Sequence, residues 1–161
     1  DPLWSRGLGD VYKRQIMAYV HLAHDCQIGN NTIFANNSQL AGHVTVGDFA
    51  ILGGFTAVHQ FCSIGAHSIT SIGTVVLQDI PPFVTASGNT AEPYGINSEG
   101  LKRRGFSAEA IAAIKRAYKT LYKSGLGLED AKREIGSQLA ACPELQILLD
   151  FLAQSSRGII R

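Results

Sequence analysis

Residues 16–82 read IMAYVHLAHDCQIGNNTIFANNSQLAGHVTVGDFAILGGFTAVHQFCSIGAHSITSIGTVVLQDIPP, and this stretch repeats with a period of six. Every sixth residue from Ile16 to Val76 is apolar in ten of eleven cases, and Pro82 ends the series. The position four residues later holds small or β-branched side chains. A hexapeptide repeat indicates a parallel β-helix, in which each hexad supplies a short strand and a corner and three hexads complete one triangular coil. A period of six fits neither an α-helix nor an alternating strand.

The charge is unevenly distributed, although the whole chain of 161 residues carries a formal net charge of only +1. Residues 16–81 contain no Lys or Arg and three acids, which gives −3, whereas residues 82–161 hold eleven Lys and Arg against eight acids, which gives +3. A basic C-terminal part suits an anionic partner. This excess of positive charge is too small to indicate nucleic-acid binding. The basic residues are also not interleaved with aromatic residues, as they are in proteins that bind single strands.

The three cysteines and the hydropathy favour a cytoplasmic protein. Cys26 and Cys62 fall in the small-residue position two coils apart, about 9–10 Å along a stack of strands, which is too far for a disulfide. We therefore interpret them as core residues. The sequence has no apolar stretch long enough to cross a bilayer and no evident secretory leader, so we expect no stable membrane insertion.

The repeat divides the chain into four parts. Residues 1–15 do not follow the hexad pattern, and we interpret them as a non-native or disordered leader, either foreign to the protein or a natural tail. Residues 16–82 form the β-helix, residues 83–106 a connecting loop and residues 107–161 a C-terminal helical domain. In that domain Ser107 is the expected N-cap of a first helix that Gly125 stops, a second helix covers about 129–140, and a third begins near Pro143.

Four histidines lie where the repeat brings them together. The hexads that contain His24, His43 and His59 are three apart, so these residues should lie on the same side of successive coils, roughly 5 Å per level. His21 lies at the corner that leads into this side. None occupies the apolar position, so all four should project outward and form a functional site.

Two chemistries fit these imidazoles. Three histidines could bind zinc and activate water, as in the gamma-class carbonic anhydrases, but the spacings between these histidines include no His-x₄-His pair. Alternatively, one histidine acts in acid–base catalysis while the others bind substrate. The pair His24-Asp25 favours this second chemistry, because a carboxylate orients an imidazole and stabilises its cation, although Asp25 could equally be a turn residue.

Four strings resemble one family of hexapeptide acyltransferases. HLAHDC at 21–26, LAGHV at 40–44, GGFTAVHQF at 53–61 and NSEGLKRRGF at 97–106 are similar to strings of the acyl-ACP–UDP-N-acetylglucosamine O-acyltransferases. The resemblance covers residues 16–161. It implies a mainly β fold with α, namely a left-handed parallel β-helix followed by a small C-terminal helical bundle, assembled as a homotrimer with a site between neighbours.

The resemblance also implies a reaction and its residues. The family transfers an (R)-3-hydroxyacyl chain from acyl carrier protein to the 3-hydroxyl of UDP-N-acetylglucosamine, the first step of lipid A biosynthesis, without metal or other cofactor. His24 would be the general base, Asp25 would orient it, and the backbone N–H of Gly42 would stabilise the oxyanion. The residues expected to bind the substrates are His21, His43, His59, Gln60, Asn97, Glu99, Arg103 and Arg104.

Two departures from the family pattern carry further expectations. Ile72 falls where members that use longer chains have Gly, so a shorter acyl chain is expected here. Family members also begin several coils earlier, with a lysine at the site, so the chain as given is expected to be an N-terminally truncated fragment without activity of its own. The alternatives that stay open are the related N-acyltransferase, which the GLKRRGF string disfavours, the zinc enzyme, and a non-catalytic scaffold.

Overall fold

The repeat forms the triangular coil that it predicts. A computed structural model describes residues 12–161 and contains, within that range, thirteen strands and four helices. The first eleven strands have two residues each and begin at every sixth position of the chain. They are β1 Gln15–Ile16, β2 His21–Leu22, β3 Gln27–Ile28, β4 Ile33–Phe34, β5 Gln39–Leu40, β6 Thr45–Val46, β7 Ile51–Leu52, β8 Ala57–Val58, β9 Ser63–Ile64, β10 Ile69–Thr70 and β11 Val75–Val76.

The strands pair into three parallel sheets that form the sides of the prism. Each strand pairs with the third strand after it, in the register Gln15↔Ile33 or His21↔Gln39, so that one coil consists of three hexads. The first sheet contains β1, β4, β7 and β10, the second β2, β5, β8 and β11, and the third β3, β6 and β9. Equivalent residues of successive coils therefore lie above one another.

The interior explains why two positions of each hexad are restricted. The second residue of each strand points inward, and Phe34, Leu40 and Leu52 are fully buried. The small residue four positions later closes the corner, since the hydroxyl groups of Ser38 and Thr56 donate to the carbonyl three residues earlier, at 2.6 and 2.7 Å. A larger side chain would not fit between the coils, which are close-packed. Cys26 and Cys62 are free thiols, as expected, and Cys142 is a free thiol as well.

Each corner contains one residue in the left-handed backbone conformation. The residue three positions after the second strand residue has a φ near +60° in hexad after hexad, from Tyr19 (58°) to His67 (61°), and Gly73 follows with 72°. Side chains other than Gly, Asn and Asp rarely adopt this conformation. The hydrogen bonds between coils hold it here, such as the one from His43 N to His24 O at 3.0 Å.

Two of the predicted boundaries differ from the structure. Gln15 was assigned to the leader but belongs to β1, where its N–H donates to Thr32 O at 2.8 Å. The remainder of the predicted leader before residue 12 lies outside the described residues. Residues 83–106 were predicted as a loop, which is wrong, because they contain β12 Val84–Ser87, β13 Glu92–Ile96 and the helix α1 Ser98–Arg103. Strand β12 adds to β10 in parallel and turns back into β13, which extends the first sheet beyond the repeat.

Three longer helices follow. They are α2 Ala108–Lys123, α3 Leu128–Gly136 and α4 Leu145–Gln154. The Ser107 side chain caps α2 by accepting from Ala110 N at 3.0 Å, and Gly125 follows its end with a φ of 78°, both as predicted. The second helix is shorter than the predicted 129–140. Among the residues described, no helix combines the length and the apolarity needed to span a bilayer.

The C-terminus closes the end of the coil. The carboxylate of Asp79 is 1% exposed and accepts from Ser63 N at 2.8 Å and from the Ser155 hydroxyl at 2.5 Å. Its backbone N–H donates to Gly158 O at 2.8 Å, so residues beyond α4 pair with the last coil. The helical bundle is thereby fixed to the β-helix.

Candidate active site

One edge of the prism collects the predicted catalytic residues. Strands β2, β5 and β8 are neighbours in the second sheet, so the corners that follow them lie above one another. We call the corner positions 24–25, 42–43 and 60–61 the histidine corner. The prediction that His24, His43 and His59 lie on one side of successive coils is confirmed, because His59 directly follows β8.

A carboxylate lies between two imidazoles at this corner. Nδ1 of His24 is 2.9 Å from Oδ2 of Asp25, and Nε2 of His43 is 3.7 Å from the same oxygen. Hydrogen bonding to His24, and then the charge of His43, hold the pKa of Asp25 below its usual value. An ionised Asp25 accepts a hydrogen bond from Nδ1 of His24, which places the lone pair of that ring on Nε2. The other nitrogen of His24 is therefore free to take up a proton.

Gly42 lies directly beneath the ring of His24. A Cβ added to this glycine would be 2.7 Å from both Cε1 and Nε2 of His24, so only glycine leaves room for the ring in this position. Within residues 12–161, the amide of Gly42 donates no hydrogen bond, whereas the next amide, of His43, donates to His24 O. Gly42 and the ring of His24 are thus in close contact, and acyl transfer needs both a basic nitrogen and an N–H donor.

The neighbouring predicted residues extend the site along the second sheet. The ring of His43 stacks on Phe61, with centroids 4.6 Å apart and planes at 6°. His21 and His59 both line a groove of about 390 Å³ whose walls are apolar and include Val58, Val76 and Leu77. Gln60 is exposed at the histidine corner itself.

The predicted nucleotide-binding residues lie elsewhere in the same chain. Asn97, Glu99, Arg103 and Arg104 belong to α1 and its two caps. Arg104 and Asn97 contact His67, at the corner that follows the third sheet, rather than the histidine corner. Glu99 and Arg103 are exposed, whereas Asn97 is 7% exposed and caps α1 by accepting from Gly100 N at 3.2 Å. Within one chain the structure does not bring these residues to His24.

Ile72 occupies the remaining corner, which follows the first sheet. Its side chain is 75% exposed, and its Cγ1 would lie 3.9 Å from a Cβ on Gly54, one coil earlier. A branched side chain therefore projects from the prism surface at this point.

One group at the histidine corner has the donor atoms for a metal ion. Ligand atoms of His24, Asp25 and His43 all lie within 4.8 Å of one another. Two imidazoles and a carboxylate suit zinc. His59, the third histidine of the zinc interpretation, does not belong to this group.

His67 was not among the predicted site residues. This residue has the same corner position as Asp25 and His43, three residues after an apolar strand residue, but it is buried. Burial, followed by the charge of Arg104, lowers its pKa to about 4, while the charge of Asp48 acts in the opposite direction. The position of Phe49, one full coil before His67, could have identified an aromatic stack at this corner.

The fold and the site define a class. A coil of hexads with a histidine–carboxylate pair at an exposed corner is typical of the hexapeptide-repeat transferases, and residues 15–42 match the bacterial transferase hexapeptide family. Residues 79–160, about half of the chain, match the family model described as UDP N-acetylglucosamine O-acyltransferase, domain 2. The chain therefore belongs to the UDP-N-acetylglucosamine O-acyltransferase family, and its β-helix is left-handed as in that family.

Similar proteins agree with this assignment. The acyl-[acyl-carrier-protein]–UDP-N-acetylglucosamine O-acyltransferase of Thiobacillus denitrificans is 64% identical over 146 residues, which is 91% of this chain and 57% of that protein. The protein of the same name from Aliivibrio fischeri is 58% identical over 98% of this chain and 60% of its own length. The structure of LpxA from Acinetobacter baumannii has a TM-score of 0.90 at 46% identity, and covers 92% of this chain and 58% of that one. The chain spans somewhat more than half the length of these relatives.

Proposed function

We propose that this chain is the C-terminal part of an acyltransferase that moves an (R)-3-hydroxyacyl chain from acyl carrier protein to the 3-hydroxyl of UDP-N-acetylglucosamine, the first step of lipid A biosynthesis. The observation that carries the proposal is the arrangement of His24, Asp25 and Gly42, in which Asp25 accepts from Nδ1 of His24 and Gly42 leaves the space that the His24 ring occupies. The names of the similar proteins support the donor and the acceptor.

The proposed reaction needs no covalent intermediate on the protein. Nε2 of His24 removes the proton of the sugar 3-hydroxyl while Asp25 accepts from Nδ1 and stabilises the imidazolium. The sugar oxygen attacks the thioester carbonyl, and the amide of Gly42 donates to the oxyanion that forms. When the tetrahedral intermediate collapses, the C–S bond breaks and the carrier thiolate takes the proton from His24. Ester and free thiol leave, and His24 is neutral again.

The remaining residues are proposed to hold the two substrates. His43 and Gln60 lie beside the base, and His21 and His59 line the adjoining groove, where sugar, phosphate or acyl hydroxyl groups could bind. Asn97, Glu99, Arg103 and Arg104 are proposed to bind the nucleotide, since guanidinium groups match diphosphate oxygens. Those residues lie at a different corner from His24 within one chain. We therefore propose that one nucleotide contacts both groups between two copies of the chain, as a homotrimer would allow.

The carrier protein is proposed to dock on the helical bundle. Lys115, Lys119 and Lys123 follow one another at intervals of four along α2 and line a groove of about 600 Å³ together with the exposed Tyr94. A positive helix face of this kind attracts an acidic partner such as acyl carrier protein.

The experiment is an acyl-transfer assay with the full-length protein, its N-terminal coils restored, using 3-hydroxyacyl carrier protein and UDP-N-acetylglucosamine. His24→Ala should lower kcat by about 10³-fold, within the range typical of a lost general base. Asn30→Ala, at the same position of the next hexad, is the control and should retain activity. A non-catalytic scaffold would be indifferent to His24→Ala, and the N-acyltransferase would accept only the sugar that is already acylated at O3.

The zinc enzyme is the second candidate, because His24, Asp25 and His43 form a metal-ligand group. It would hold metal in a stoichiometric amount after purification, which elemental analysis measures. Metal at one ion per chain, lost in His43→Ala, would favour this candidate over acyl transfer.

Ile72 is proposed to limit the length of the acyl chain. A branched side chain that projects at this corner would block the far end of a groove that Gly leaves open. Ile72→Gly in the full-length protein should therefore shift the preference toward longer 3-hydroxyacyl donors. The measurement is kcat/KM for a series of donor lengths, and an unchanged ratio of long to short donors would remove this role.

A further inference from the structure

A buried aromatic stack covers the corner that follows the third sheet. His67 is 7% exposed and stacks between Phe49, with centroids 4.9 Å apart and planes at 7°, and Phe83, at 5.7 Å and 17°. The ring of Phe106 closes the cluster in a T-shaped contact with the imidazole, with centroids 5.1 Å apart and planes at 73°. We call these four residues the aromatic corner. Phe49 and Phe83 also have a positive φ, so a phenylalanine fits this backbone, and what distinguishes His67 is its ring nitrogens.

His67 bonds to both ends of α1. At the start of the helix, the side-chain amide of Asn97 donates to the backbone carbonyl of His67 at 3.1 Å, while its oxygen caps the helix. At the end of the helix, Nη1 of Arg104 is 3.2 Å from Nδ1 of His67. His67 thus contacts both ends of α1, and α1 with its two caps carries the proposed nucleotide-binding side chains.

The contact with Arg104 defines the protonation of the ring. A guanidinium has donors only, so Nδ1 of His67 must be the acceptor and the proton must lie on Nε2. The guanidinium also lies over the ring of Phe49, with its Cζ 5.2 Å from the centroid. The charged groups that act on this imidazole are Arg104, from the end of α1, and Asp48, from the corner beside Phe49. A neutral imidazole and an aromatic face together hold one edge of Arg104 and leave its other donors for a ligand.

We propose that His67 is a positioning residue for the sugar-nucleotide substrate: through its carbonyl it anchors Asn97, and through Nδ1 it orients Arg104 toward the diphosphate. This inference rests on the proposed function, because it takes Arg104 to be a nucleotide-binding residue. His67 itself touches no reacting atom. Its loss should therefore weaken binding of the nucleotide and leave the chemical step intact.

Two substitutions distinguish the role of the Nδ1 acceptor of His67 from that of its stacked ring. His67→Phe keeps the stack and removes the acceptor, in a backbone position where Phe49 and Phe83 show that phenylalanine fits. His67→Asn places an amide oxygen near Nδ1 and tolerates a positive φ. In the full-length enzyme His67→Phe should raise KM for UDP-N-acetylglucosamine about tenfold, as for a lost charge-assisted hydrogen bond, with kcat within about twofold. His67→Asn should restore much of the KM.

Coupling to Arg104 is the second measurement. If His67 acts through Arg104, then His67→Phe should add little to the KM of Arg104→Gln, because the two residues form one unit. Additive effects of the two substitutions would overturn the proposal. A raised KM for Arg104→Gln with an unchanged KM for His67→Phe would also overturn it and leave the proposed function standing. If neither substitution changes KM, both the positioning role and the nucleotide-binding role of Arg104 fail.

A measurement that does not depend on catalysis can be made on this chain rather than on the full-length enzyme. Nitrogen NMR of the histidine rings should show His67 as the Nε2–H tautomer with its pKa lowered from 6.5 to about 4, and Arg104→Gln should raise that pKa. A His67 that carries its proton on Nδ1 could not accept from Arg104, and this result would contradict the proposal.

Discussion

The histidine corner and the aromatic corner use the same backbone for opposite purposes. His43 and His67 both have a φ of 61°, and each ring stacks on a phenylalanine of the neighbouring coil, at 4.6 Å on Phe61 and at 4.9 Å on Phe49. The side chain of His43 is nevertheless 42% exposed, whereas His67 is 7% exposed. The repeat fixes the ring positions, and what covers them decides their chemistry.

The covering elements come from outside the repeat. Phe83, Phe106 and Arg104 close over His67, and burial disfavours its charged form. At the histidine corner, the rings of His24 and His43 stay exposed and the ionised Asp25 lies beside them. Corners with the same backbone thus carry exposed imidazoles beside a carboxylate in one place and a buried imidazole that is kept neutral in another.

Among the changes that sharpen this comparison of the two corners, the largest effect is expected from filling the space beneath the ring of His24, the proposed base. In the full-length protein, Gly42→Ala would put a methyl group 2.7 Å from Nε2 of His24 and force the ring out of its present position. We expect a loss of about 100-fold in kcat, because misplacement of a catalytic group by about 1 Å costs this much. Since the ring of His24 is exposed and can move, the thermal midpoint should change little.

The control for Gly42→Ala is Gly136→Ala, at the end of α3, where an added Cβ meets no atom within 4 Å. It should leave both activity and stability near those of the parent. Full activity in Gly42→Ala would show that the close approach of ring and glycine is not used in catalysis.

The next prediction concerns how the free energy of unfolding depends on pH through the buried imidazole of His67. The folded pKa of His67 is lowered from 6.5 to about 4, so between these values the unfolded chain binds a proton that the folded chain does not. The stabilisation is present above pH 6.5 and is lost as the pH falls toward 4. Linkage of this size corresponds to about 1–2 kcal/mol less stability at pH 5 than at pH 7.

The measurement is the free energy of unfolding of this chain, by denaturant, at pH 7 and pH 5. His67→Phe has no group to titrate at this position and should lose less stability over the same interval, while the other four histidines are present in both proteins and cancel in the comparison. Equal losses in parent and variant would mean that His67 titrates normally in the folded state.

The histidine corner could be predicted from the sequence, whereas the burial of His67 at the aromatic corner could not. The hexad period places His24, Asp25, His43 and Gly42 together, because equivalent positions of successive coils lie above one another whatever surrounds them. His67 has the same position in its hexad, yet its burial depends on Phe106 and Arg104, which follow only after the repeat has ended. Such coverage is a tertiary contact that no local pattern encodes.

The same reasoning explains the error at residues 83–106. This segment has neither the hexad period nor a helical one, and it becomes two strands and a short helix because the open edge of the first sheet offers backbone partners. Thr85 pairs with Ile69 in β10, and the N–H of Asn97 donates to Phe83 O at 2.7 Å. Pairing at an edge satisfies backbone groups that the sequence pattern does not reveal.

The smallest expected effect concerns the residue that gives the histidine corner its charge. In the full-length protein, Asp25→Asn keeps a side chain suited to the positive φ of 59°, as Asn31 and Asn37 do at equivalent corners, but removes the negative charge beside His24. The amide still offers an oxygen to Nδ1, so the tautomer of His24 is largely retained and only stabilisation of the imidazolium is lost. We expect kcat to fall about tenfold, less than the hundredfold or more that losing the general base itself costs, with little change in KM. Asp130→Asn, on the exposed face of α3, is the control for the change in net charge. In His24→Ala, where no imidazolium forms, Asp25→Asn should have no further effect, and a full additional tenfold loss there would show that Asp25 acts on the substrate rather than through His24.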